Sequence, residues 1–82
     1  MDAAHTTASY SVTVRVAIVN KPGSLAKVLA AIGRKGGQMD AIDMVEASST
    51  NTIRDLTVLA RDEQHLQDIL DALKKLRHVK VL

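Results

Sequence analysis

The apolar residues of this chain switch their spacing twice, from every second position to a helical rhythm and back, and this alternation leaves few folds open. Val12, Val14, Val16 and Ile18 share one face of a strand, with Ser11, Thr13, Arg15 and Ala17 on the other. Beyond Asn20-Lys21-Pro22-Gly23-Ser24, the residues Leu25, Val28, Leu29 and Ile32 recur at i, i+3, i+4 and i+7. That spacing predicts a helix from Ser24 to Lys35 with Leu29 central in its apolar stripe. Gly36-Gly37 supply the left-handed residue of a helix C-cap, and Arg34 and Lys35 suit the negative end of the dipole. Gln38 to Ala47 reads as a second strand. Met39, Ala41, Ile42, Met44 and Val45 break its alternation, so it is covered on both faces in places or carries a bulge.

Ser48-Ser49-Thr50-Asn51 then turns the chain into a third strand, Ile53 to Arg61, with Leu56, Val58 and Ala60 opposite Asp55, Thr57 and Leu59. Asp62 caps a second helix, whose stripe is Leu66, Ile69, Leu70 and Leu73, with Leu70 central. Asp71 and Lys75 are expected to pair at i, i+4, worth about a few tenths of a kcal/mol. Val79 and Val81 mark a short last strand. The order β-α-β-β-α-β points to an α+β, ferredoxin-like sandwich, a four-stranded antiparallel sheet with both helices on one face. Its other face, with Thr13, Arg15, Thr57 and Leu59, is too mixed for a second core and is available to another domain.

The 82 residues sustain one modest core. Residues 1–10 read as a small, polar, mobile leader with Tyr10 ahead of the first strand, and 11–82 as the domain. The leader has no signal-peptide pattern, and no eighteen-residue apolar run occurs, so neither secretion nor a membrane span is expected. Without cysteine there are no disulfides, thiolate metal sites or thiol nucleophile, and the reducing cytosol is the natural compartment. A net charge of +2 names no partner.

Function classes fall away by residue type. With no Phe or Trp, and Tyr10 the only aromatic residue, the chain lacks a base-stacking sheet, and no nucleic acid is expected. His5, His65 and His78 fall on the leader, the second helix and a helix–strand corner, with His65 read as a surface residue. Asp40, Asp43 and Glu46 alternate faces on a regular strand, so they read as solvated or paired across an interface, not as a cation site. Neither a catalytic site nor a cofactor is indicated. An acylphosphatase-like hydrolase would need an Arg and an Asn on a phosphate-cradling loop, for which Asn20 and Lys21 are a poor substitute. The turn itself offers more, because Gly23 permits close approach and a helix N-terminus receives a carboxylate. In the simpler alternative, Pro22-Gly23 only reverses the chain and Ser24 caps the helix.

The element order, the Asn20-Lys21-Pro22-Gly23 turn, the Leu25/Val28/Leu29/Ile32 helix and the Gly36-Gly37-Gln38-Met39 entry to strand two together resemble an ACT domain, over Val12 to Leu82. The most diagnostic piece is a strand followed by an acidic or amide residue, one further residue and Pro-Gly. The segments Ala41-Ile42-Asp43-Met44-Val45 and Ile53-Arg54-Asp55-Leu56-Thr57-Val58, followed by Ala60-Arg61-Asp62-Glu63-Gln64-His65, look most like the ACT domain ahead of some bacterial NAD-dependent malic enzymes. The resemblance implies a regulatory module that binds an amino acid or small metabolite, assembles as a homodimer or higher oligomer, and controls an attached catalytic domain. By position, Asn20 would hold the polar head of the effector, and Gly23, Ser24 and Leu25 would present N–H groups to its carboxylate. Gln38, where the family commonly has Asn, and Asp40 would approach from strand two. The alternative is a dimerisation or docking module that binds nothing small.

Overall fold

The computed structural model describes residues 10–82. In chain order it contains β1 (Tyr10–Val19), α1 (Ser24–Arg34), β2 (Gln38–Ala47), β3 (Asn51–Ala60), α2 (Glu63–Lys74) and β4 (Val79–Val81). The strands form one sheet in the order β2-β3-β1-β4, antiparallel at every neighbouring pair. This is the expected ferredoxin-like arrangement. Of the leader expected over 1–10, only Tyr10 lies within the described residues. It does not precede the strand, as the sequence reading had it, but opens β1 opposite Ala60.

Period-two alternation does what it should on the central strands. Val14, Val16 and Ile18 of β1 and Leu56, Val58 and Ala60 of β3 are buried beneath the helices. The helices supply Val28, Ala31, Ile32, Ile69 and Leu73 to the same cluster. Each stripe is rotated by about one position from its expected centre. Leu29 is only half-buried and does not join the residues packed against the core, while Ser24, Val28, Ala31 and Ile32 face inward. On α2 the buried line is His65, Ile69 and Leu73, with Leu66 and Leu70 on its flank. The helices turn toward one another because small Ala31 allows close approach, and His65 finds hydrogen-bond partners inside.

Both helix ends show why their residues were needed. Gly36 has φ +80° in the left-handed region, and a Cβ on Gly37 would lie 2.8 Å from Ile69 and 2.9 Å from the Ile32 side chain. Asp62 caps α2 by accepting from the His65 N–H at 2.8 Å. The expected ion pair between Asp71 and Lys75 does not form. Asp71 instead accepts from Gln67 Nε2 one turn back, at 3.4 Å.

The edge strand β2 carries two irregularities, between Met39 and Ala41 and between Met44 and Glu46. The second resets the alternation, so that Asp43 faces Asp55, Glu46 faces Ile53, and both carboxylates lie on the open face. This corrects the expectation that the carboxylates of β2 alternate sides. Ile42, Met44 and Val45 are 38, 50 and 43 % exposed, an apolar stretch on an unpaired edge. The open face is polar at its centre. Thr13 and Thr57 share a 3.1 Å hydrogen bond, and Arg15 donates to both carboxylate oxygens of Asp55 at 2.8 and 3.0 Å. Those bonds hold the Asp55 carboxyl below its ordinary range. Among the described residues no helix is long and apolar enough to cross a membrane.

Candidate functional site

Strand β1 delivers the chain to the turn through a series of backbone bonds. Val19 N–H donates to the His78 carbonyl at 3.0 Å, and Asn20 N–H to the Thr50 carbonyl at 2.8 Å. The Asn20 side chain is also engaged, its Nδ2 donating to the Ser48 carbonyl at 2.9 Å and bracing the β2–β3 hairpin against the turn. This leaves the Asn20 amide oxygen as its accepting group. The turn closes with Lys21 N–H on the Val19 carbonyl at 2.9 Å and Ser24 N–H on the Lys21 carbonyl at 3.2 Å. Gly23 is the N-cap, at φ +86°, and no side chain caps the helix. Ser24 therefore does not cap α1 as the simpler sequence reading had it. It is the first helical residue and only 6 % exposed.

What the turn can do follows from what it leaves unsatisfied. The Lys27 N–H closes the first helical bond, to the Gly23 carbonyl at 3.1 Å. The N–H groups of Leu25 and Ala26 have no hydrogen-bond partner among the described residues. No acidic residue lies in the first turn to offset the positive end of the dipole. A carboxylate placed there meets two donors and a favourable field.

Not every expected site residue lies near this end. Gln38 and Asp40 are exposed at the start of β2. Gln38 lies across β3 from Ser11, at the far end of the ten-residue β1 from Asn20. At about 3.3 Å per residue that separates them by roughly 30 Å within one chain. Asn20, Gly23, Ser24 and Leu25 are thus together, while Gln38 and Asp40 are apart from them.

Two further polar residues escaped the sequence reading. Arg54 stands between Val16 and Met44 on the helix-covered face, and its Nε is buried without a hydrogen-bond partner. The signal was present in the sequence, since Arg54 shares the parity of Leu56, Val58 and Ala60. His65 is not a surface residue but 4 % exposed. Its Nδ1 accepts from the Arg61 N–H at 2.9 Å, which leaves the proton on Nε2, donated to the Lys35 carbonyl at 2.6 Å. It ties the start of α2 to the end of α1, a structural duty. Among the described residues no group of three or more His, Asp or Glu is placed to hold a metal.

Two clefts open on the helix side. One of about 410 Å³ runs between the helices past Arg34, Lys35, Asp68 and Asp71, with charges of both signs. The other, of about 310 Å³, lies on the β4 side of the α1 N-terminus and is lined by Ser24, Lys27, Lys75, Arg77 and His78 against Leu76 and Val79.

The family profile described as ACT domain matches residues 6–81. An NAD-dependent malic enzyme of Geobacillus stearothermophilus is 37% identical over 75 residues, spanning 92% of this chain and 16% of that protein. NAD-dependent malic enzyme 1 of Bacillus subtilis (strain 168) is 31% identical over 64 residues, 78% of this chain and 15% of that protein. The chain thus spans about a sixth of the length of these relatives. Among solved structures, the ACT domain from GTP pyrophosphokinase of Chlorobium tepidum superposes with a TM-score of 0.70 at 17% identity, covering 89% of this chain and 97% of that one. The ligand-free regulatory subunit of aspartate kinase from Thermus thermophilus gives 0.61 at 18% identity, covering 92% and 56%. These two likenesses are of fold.

Proposed function

The chain belongs to the ACT domain family, a family of regulatory ligand-binding domains, and from that membership we propose that it senses an amino acid or similar small metabolite for an attached enzyme of the NAD-dependent malic enzyme kind. One observation carries the sensing role: the unpartnered N–H groups of Leu25 and Ala26 at an α1 N-terminus with no acidic residue in its first turn. The effector carboxylate sits on these donors, and the Asn20 amide oxygen receives its ammonium group.

A second copy completes the site. Two β2 edges paired antiparallel about Ile42 and Asp43 bring Gln38 and Asp40 of one copy opposite Ala47 and Val45 of the other, at the end where Asn20 lies. The same pairing covers Ile42, Met44 and Val45, which the single chain leaves exposed. Cytoplasmic location fits a chain without cysteine working beside a metabolic enzyme.

A pairing module that binds no small molecule is the second reading, and the Asn20–Ser48 hydrogen bond favours it, because it gives Asn20 a purely structural duty. Thermal unfolding in the presence of each amino acid and of central-metabolism acids separates the two. An effector at about a hundred times its dissociation constant stabilises the fold by about 2.7 kcal/mol. A panel in which no compound raises the midpoint overturns the sensing role and leaves the pairing module.

A further inference from the structure

On the β4 side of α1, away from the edge used above for pairing, we propose that the chain binds a phosphate-bearing small metabolite in the cleft of about 310 Å³ between Ser24, Lys27 and the segment 75–79. Lys27, Lys75 and Arg77 line it, with His78 beside them and no acidic residue in the lining. None of the three permanent cations is in an ion pair or side-chain hydrogen bond among the described residues. Three exposed positive charges along one cleft whose lining holds no acidic residue make a field that favours an anion.

Ser24 points to the same ligand independently. It is more than nine-tenths buried, lines the cleft, and its hydroxyl has no hydrogen-bond partner among the described residues. The hydroxyl is not sealed in the core but opens onto the cleft, so it is free to donate to an acceptor that enters there. The α1 N-terminus adds its positive end. A phosphate fits this set better than a single carboxylate. It carries about 1.5 to 2 negative charges and three strong acceptor oxygens, enough to engage a guanidinium fork, an ammonium and a hydroxyl at once. Leu76 and Val79 give the carbon skeleton an apolar wall, which inorganic phosphate cannot use.

The test is a set of amide ¹H–¹⁵N titrations of the chain at constant ionic strength with glycerol 3-phosphate, inorganic phosphate and malate. Glycerol 3-phosphate is expected to shift Lys27 and residues 75–79 saturably. Inorganic phosphate should shift the same amides more weakly, and malate, which lacks a phosphate, should be weaker than glycerol 3-phosphate. Arg77→Ala, at an exposed side chain, and Ser24→Ala should each lower the affinity by roughly ten- to a hundredfold, with the circular dichroism spectrum unchanged. The proposal is overturned by shifts that do not saturate or do not reach 75–79, by wild-type affinity in both variants, or by malate binding as tightly as glycerol 3-phosphate. The amino-acid response at the Asn20 turn is expected to persist in Arg77→Ala, so failure of one site is read separately from failure of the other.

Discussion

At the scale of single residues, the polar side chains divide between those consumed by the fold and those left over. His65, Thr52 and the Asn20 amide nitrogen are consumed, each tied to a backbone carbonyl in a neighbouring segment. The Leu25 and Ala26 N–H groups and Arg54 Nε are left over. Gly23 permits close backbone approach, but nothing lies within 4 Å of a Cβ built there, and its φ of +86° strains any replacement. A variant at Gly23 therefore confounds backbone strain with lost binding, and Asn20→Ala is the cleaner probe. On the open face, Arg15 holds the Asp55 carboxyl below its ordinary value of 3.8 by hydrogen bonding. A carboxyl depressed in the folded chain stabilises it above the unfolded value, and that contribution disappears as the pH falls through the folded value. The urea midpoint of wild type should therefore drop more steeply with acidification below about pH 4 than that of Asp55→Asn. Parallel acid limbs in the two proteins would show that the ion pair contributes nothing, as exposed pairs sometimes do.

At the scale of elements, most of the fold was legible because each strand and helix keeps its own period. Both ends of β2 and the start of α1 fell where the pattern placed them. What periodicity could not give was the rotation of each helix about its axis. Leu25, Val28, Leu29 and Ile32 define a stripe wide enough to be turned by one residue, and the choice is made by the neighbouring helix through Ala31 and His65. Burial of a histidine was illegible for the same reason, since its partners, the accepting carbonyl of Lys35 and the donating N–H of Arg61, come from outside its own helix. Ile69→Ala, at a fully buried position, should cost about 2–5 kcal/mol by urea denaturation. Leu29→Ala, at a half-buried position, should cost about 1 kcal/mol or less. Equal losses at the two positions would restore the unrotated stripe.

At the scale of the whole molecule, the expected site residues fall at opposite ends of the sheet: Asn20, Gly23, Ser24 and Leu25 at one, Gln38 and Asp40 at the other. The sequence could name both groups but could not reveal their separation, because strand register is set by cross-strand partners. In the proposed pairing, a second copy across β2 closes that gap. Met44→Lys puts a charge in the middle of the apolar edge, and sedimentation should show wild type as a dimer and this variant as a monomer. A wild-type monomer would remove the pairing. The most direct measurement is an amide ¹H–¹⁵N titration with the amino acid that raises the melting midpoint most. Saturable shifts at Leu25 and Ala26, accompanied at the same affinity by shifts at Gln38 and Asp40, are the predicted result, since a ligand at a two-copy site touches both groups. Shifts confined to Leu25 and Ala26, or absent from both groups, would contradict it.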